Sequence, residues 1–250
     1  MQIGVKWKNL LGILVFFAAQ STFAYRVITD RIPLGKGSVY SFVEYTRNKV
    51  PTAIGVAIAG SALKTLPDEM QMLELVPKSM HKVEPYTHIG FDWNPMGHEP
   101  PGIYDLPHFD VHFYMIPQNV RHNITCAGAD ALKCTKAVAS SYIPADYGPT
   151  PAGVPMMGWH WLDLKSPELN GQTFTRTLIY GFYDGSTAFI EPMVTLAYLK
   201  TKPHAVFPVR WSQNISVSGM YPKNYSVDYK PVTDTYEIAL IDLVSRTSSR

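Results

Sequence analysis

The sequence predicts a mainly β domain, an antiparallel β-sandwich or barrel with one or two short helices. Twenty prolines and 17 glycines are spread along the 250 residues rather than clustered, which cuts the chain into short elements. The stretches between them are rich in aromatic and β-branched residues, which strands prefer. Asp184-Gly185 separates two such stretches and supplies the positive φ angles of a tight hairpin turn.

Taken in chain order, Lys6 and Lys8 precede an apolar run from Leu10 to Ala19, then Gln20-Ser21 and Thr22-Phe23-Ala24. This is the charged, apolar and small-residue order of a cleavable secretory signal. The apolar run is about ten residues, whereas a helix crossing a bilayer needs roughly 20. Residues 1–24 are therefore expected to be a leader removed on export to the periplasm or beyond. Residues 25–250 are expected to form a single β-rich domain without a stable membrane anchor. Strands are expected over Ser38–Tyr45, Ala53–Ile58, His108–Ile116, Thr173–Phe182, Thr187–Leu199, Ala205–Trp211 and Thr235–Val244, with a further short one over Gly158–Asp163. A helix is expected near Pro67–Val76, because Pro67 suits a first helical position and Asp68 and Glu69 suit the first turn. The irregular segment from Asn119 to Pro155 reads as a long surface excursion. Cys126 and Cys134 lie in it, and in an oxidising compartment they are expected to form a disulfide.

Without Lys6 and Lys8, the 22 basic residues fall to 20, equal to the 20 acidic ones. A neutral domain has no global field to attract nucleic acid or an anionic membrane, so both are excluded as partners. The chain also lacks a Gly-x-Ser-x-Gly elbow, a reactive-cysteine context and a phosphate-cradling glycine loop. Covalent hydrolase chemistry and nucleotide use fall away with them.

Candidate chemistry concentrates between Asp92 and Tyr114. Phe109, Val111 and Phe113 alternate with His108, Asp110, His112 and Tyr114, so a strand places both histidines and the aspartate on one face. Such a face is costly to bury without a purpose. Residues two apart on a strand are separated by roughly 6.6 Å and can share an ion, whereas residues four apart are separated by about 13 Å. Asp110 can therefore chelate with one neighbouring histidine, but His108 and His112 meet on one ion only across a bulge or bend. His98 lies in a Gly/Pro-rich turn beside Glu99, His160 between two tryptophans, and Glu191 in an otherwise apolar strand. Together His98, His108, Asp110, His112, His160 and Glu191 form a candidate set for a transition metal, zinc first, with iron, copper or manganese as alternatives.

His108-Phe-Asp110 with a distant His160 has the form of the two-His-one-carboxylate triad of non-haem iron oxygenases. The spacing from Gly102 to His108 echoes the first cupin motif. The downstream glutamate of a cupin and the arginine that would hold an oxo-acid cosubstrate are both missing. The bland alternative is a hydrogen-bond network that holds strands together in a non-catalytic binding or assembly protein. A third reading, from the aromatic content, is a pocket for a small apolar ligand, and a homo-oligomer stays open. His81, His88, His122 and His204 read as structural.

The run from Trp93 to Tyr114 resembles the hallmark of a little-characterised family of exported bacterial proteins, the Thermus ring-protein-like family. Met157–Asp163 and Tyr180–Met193 are similar to that family in the same order. The resemblance covers about half of the expected mature chain. It implies an exported protein whose motif centres on the same six residues, and it assigns no reaction. Trp159 and Trp161 flanking His160 depart from the family pattern.

Overall fold

The computed structural model describes residues 25–76 and 83–249. The expected leader and His81 lie outside them. In chain order the strands are β1 (Tyr25–Ile28), β2 (Ile32–Leu34), β3 (Gly37–Tyr45), β4 (Pro51–Ala59), β5 (Gln71–Leu75), β6 (His88–Asn94), β7 (His108–Tyr114), β8 (Tyr147–Val154), β9 (Gly158–Asp163), β10 (Arg176–Tyr183), β11 (Ser186–Thr195), β12 (His204–Pro208), β13 (Gly219–Lys230) and β14 (Thr235–Arg246). The α-helices have only four or five residues: α1 (Gly60–Leu63), α2 (Gln118–His122), α3 (Ala131–Cys134) and α4 (Leu196–Lys200). Among the described residues that is four short helices where one or two were expected.

The strands form two antiparallel sheets. The first runs β1-β3-β4-β14-β13-β12, with β2 added to β3; the second runs β5-β6-β7-β11-β10-β9-β8. Both sheets are open, so the sandwich alternative holds and the barrel does not. One apolar cluster draws on both sheets, with Val39, Ile54, Val56 and Ile238 from the first and Ile89, Phe91, Phe109, Val111, Phe113 and Ile190 from the second. Burying these side chains fully stabilises the fold by about 1.5–3 kcal/mol each.

Asp184 and Gly185 both have positive φ, at 50° and 76°, and make the expected turn between β10 and β11. The strand expected to reach Leu199 stops at Thr195, whose hydroxyl accepts a hydrogen bond from the Tyr198 amide and caps α4. Pro67–Val76 is not a helix but a turn followed by β5 at the edge of the second sheet. Leu73 and Leu75 follow a period of two toward the core, and pairing with β6 overrides the helix-start signals. The excursion after Asn119 folds into α2, α3 and β8. Cys126 and Cys134 are joined as a disulfide there.

Candidate metal centre

β7 lies inside the second sheet, between β6 and β11, and all seven of its residues are buried. Its apolar positions enter the sandwich core. His108, Asp110, His112 and Tyr114 take the opposite face, against which the β6–β7 loop brings His98 and α2 brings Arg121. The loop between β6 and β7 turns back at Gly97, whose φ is +71° and whose missing Cβ would lie 2.2 Å from the Tyr104 carbonyl oxygen. Glycine is required there, and the turn brings His98 over β7. On the other flank α2 lays Arg121 on the Tyr114 ring, 4.3 Å from its centre, and ties it to Glu74 of β5 at 2.7 Å.

The six candidate residues separate into two groups, each of two imidazoles and one carboxylate. His98, His108 and Asp110 form one, and His112, His160 and Glu191 form the other; in each, donor atoms lie within 4.8 Å of one another. His108 and His112 fall in different groups, as the strand step requires. The facial-triad pairing of His160 with His108 and Asp110 is not the one observed: β9 lies three strands from β7, and His160 approaches Glu191 instead.

In the first group, Nε2 of His108 lies 3.0 Å from Asp110 Oδ1, and Nε2 of His98 lies 3.2 Å from Asp110 Oδ2. The other ring nitrogens are held by carbonyls: His108 Nδ1 donates to Leu106 at 2.6 Å and His98 Nδ1 donates to Glu99 at 2.7 Å. A carbonyl oxygen only accepts, so each Nδ1 carries a proton, and each Nε2 points at an Asp110 oxygen, where it donates if the ring is protonated or offers a lone pair to a cation if it is not. Asn94 donates to Asp110 Oδ2 at 2.7 Å and holds the carboxylate in place. Tyr104 and Phe174 wall the group, and His98, with 39 % of its side chain exposed, forms its outer edge.

In the second group, His112 Nε2 lies 3.4 Å from Glu191 Oε1 and His160 Nε2 lies 3.8 Å from Glu191 Oε2. Asp92, directly across from Asp110 in the β6–β7 pair, places Oδ2 3.5 Å from His112 Nδ1. His160 pairs with Gly181, which also pairs with Phe189. A Cβ on Gly181 would meet the Phe189 ring at 2.0 Å, so glycine is what lets the His160 and Phe189 rings meet over β10.

Burial governs the charges. It pushes the Asp92 carboxyl up to about 8, with Asp110 adding repulsion, and raises Glu191 well above the usual carboxylate range. It lowers His112 to about 3 and His160 to about 4. Burial alone would raise Asp110 too, but the adjacent His108 and His98 outweigh it and hold this carboxyl below its ordinary value. Across the two groups and Asp92, eight buried polar atoms have no hydrogen-bond partner: both Asp92 oxygens, Asp110 Oδ1, His108 Nε2, both His112 nitrogens, His160 Nδ1 and Glu191 Oε2. An unpaired buried polar group costs about 1–3 kcal/mol, against a net stability of about 5–15 kcal/mol for a whole domain. Two arrangements would lower that cost: the protons kept by Asp92 and Glu191 pair with the facing imidazole nitrogens, or a cation takes up the lone pairs of His112, His160 and Glu191.

Asp92, Asn94 and Arg121 were not among the sequence candidates, although His88, Gly90, Asp92 and Asn94 alternate with Ile89, Phe91 and Trp93 as visibly as the residues of β7 do. His88 stacks on Tyr114 at 4.7 Å, His122 pairs with Glu74, and His204 pairs with Asp228. None of the three joins either group. Among the described residues, the fold and site define a β-sandwich with two His/carboxylate groups on one sheet face, one edged by the exposed His98 and one largely buried. Comparison with protein-family models, curated proteins and solved structures finds no match.

Proposed function

We propose that the chain is an exported metal-binding protein that holds one divalent transition ion, zinc, on His98, His108 and Asp110. The single observation that carries this reading is the direction of the two imidazoles: carbonyls hold their Nδ1 protons, so both Nε2 atoms converge on one carboxylate. Orienting contacts of this kind on the far nitrogen are what metal-bound histidines require. Each residue offers one donor atom within 4.8 Å of the other two, a spread that can contract to the separation of about 3.3 Å that zinc bonds of about 2.0–2.1 Å give in tetrahedral geometry. With three protein ligands, a zinc ion held here would keep a position for water and would supply the acidity that activates it.

Export is supported by the Cys126–Cys134 bond, which suits an oxidising compartment. The charged and apolar pattern of residues 1–24 supports it as well. No helix among the described residues is long and apolar enough to cross a membrane. The resemblance of residues 93–114 to the Thermus ring-protein-like family belongs to the same proposal.

Elemental analysis of protein purified without a metal-affinity tag tests the reading. Bound zinc that disappears in His108→Ala supports it; iron, copper or manganese in the same stoichiometry replaces the ion and keeps the site. Negligible metal in both proteins, with no uptake of added zinc, contradicts it and leaves the hydrogen-bond network.

A further inference from the structure

The second group has the same ligand chemistry as the first but a different setting. His112 offers Nε2 to Glu191 while its Nδ1 faces the Asp92 carboxyl. A carboxyl behind a histidine, with a second carboxylate before it, is the outer-shell arrangement that orients an imidazole toward a metal. His160 approaches the other oxygen of Glu191 from β9, so both oxygens of that carboxylate are addressed. The side chains of His112 and Glu191 are 1 % and 2 % exposed, and that of His160 13 %.

Neither oxygen of Asp92 and neither nitrogen of His112 has a hydrogen-bond partner, and Glu191 Oε2 has none. These unpaired atoms are independent of the first group. Asp110 cannot serve both groups, because its Oδ1 faces His108 and its Oδ2 faces His98 and already accepts from Asn94. His108 and His112 stand four residues apart on β7, about 13 Å along the strand, so a single ion does not reach all six ligands.

We propose that this face holds two divalent transition ions, the second bound by His112, His160 and Glu191 with Asp92 orienting His112. The inference rests on the proposed ion at His98, His108 and Asp110 and extends it. The two ions differ in access. The first borders solvent at His98, and the second is enclosed beneath the loop that carries Met156 and beside Phe189. The first therefore exchanges readily, and the second exchanges slowly and fixes β7, β9 and β11 to one another.

Zinc stoichiometry of the full chain tests this, measured by elemental analysis after saturation with zinc and gel filtration. Three proteins are compared, wild type, His108→Ala and Glu191→Gln, with circular dichroism confirming that each is folded; His160→Ala replaces Glu191→Gln if the latter does not fold. Two zinc ions per wild-type chain and one in each variant support the proposal. The chelator EDTA should then remove the ion retained by Glu191→Gln at least tenfold faster than the one retained by His108→Ala. One zinc that survives Glu191→Gln but not His108→Ala overturns the second site and leaves the first. One zinc lost in either variant overturns the separation into two sites. No zinc in any of the three overturns both.

Discussion

His108 and Asp110, two residues apart on β7, bring Nε2 and Oδ1 to within 3.0 Å, while the other His108 nitrogen donates to the Leu106 carbonyl. A neutral His108 would thus set two acceptors face to face in a buried place. Either both imidazoles at this carboxylate become cations, or one cation stands between all three groups. Two imidazolium rings 4.6 Å apart would repel and leave a net buried charge. A divalent ion converts the same contacts into bonds.

Asp110→Asn keeps the side-chain shape and removes the charge. Zinc at 100 times its Kd stabilises a folded protein by about 2.7 kcal/mol, or about 5–10 °C in Tm for a domain of this size. Wild type should show that shift, and Asp110→Asn should need at least tenfold more zinc to reach it. Thermal melts over a zinc series check this; equal curves for the two proteins count against the carboxylate as a ligand.

Gly181→Ala should be costly although it adds one methyl group. The new Cβ would fall 2.0 Å from the Phe189 ring and opposite His160. Overpacking of this kind costs about 1–3 kcal/mol. Urea denaturation should show a lowered midpoint with an unchanged slope, and a midpoint equal to wild type would mean that Phe189 moves aside freely.

Glu74 binds α2 to the sheet edge through Arg121, Gln118 and His122. Burial alone would raise its carboxyl, but these partners outweigh it and lower it below the ordinary 4.5. A carboxyl depressed in the folded state contributes stability above its unfolded pKa and loses it as pH falls through the folded value. Glu74→Gln should therefore cost about 2 kcal/mol at pH 7, below the range for fully buried pairs because Glu74 is partly exposed. The difference from wild type should shrink below about pH 4.5. Denaturation midpoints at pH 7, 5 and 3 measure it; a constant difference would show that the charge is not what matters.

The Cys126–Cys134 bond closes a short loop beside β8, where a Cβ on Gly153 would meet Cys126 Sγ at 2.8 Å. Its removal in the Cys126→Ser/Cys134→Ser variant should lower stability by about 2.5 kcal/mol, from the lost constraint on the unfolded chain. Guanidinium unfolding of the two proteins gives the value. No change would indicate that the segment is held by its other contacts, such as that of Asp130 with Tyr183.

The site was legible wherever it depends on one strand. The alternation from His108 to Tyr114 set the orientation of β7, and Glu191 stood out as a carboxylate in an apolar strand. The division into two groups was not legible, because it depends on register between strands distant in sequence. Met193 pairs with Asp110 and Ile190 with Phe113, which sets Glu191 beside His112 rather than Asp110. Asp92 was overlooked for the same reason: its importance comes from lying across from Asp110. Pro67, Asp68 and Glu69 misled because helix-start signals are local, whereas β5 is stabilised by pairing with β6 and by burial of Leu75. β13 went unrecognised although it is 12 residues long, since Pro222 and Lys223 interrupt its pattern and β14 supplies its register.

Anomalous X-ray scattering from crystals of the zinc-soaked protein, recorded on both sides of the zinc edge, locates any ion on β7. A peak is expected about 2.0–2.2 Å from His98 Nε2, His108 Nε2 and an Asp110 oxygen. A map with no peak there, and with His108 Nε2 hydrogen-bonded directly to Asp110, would contradict that expectation.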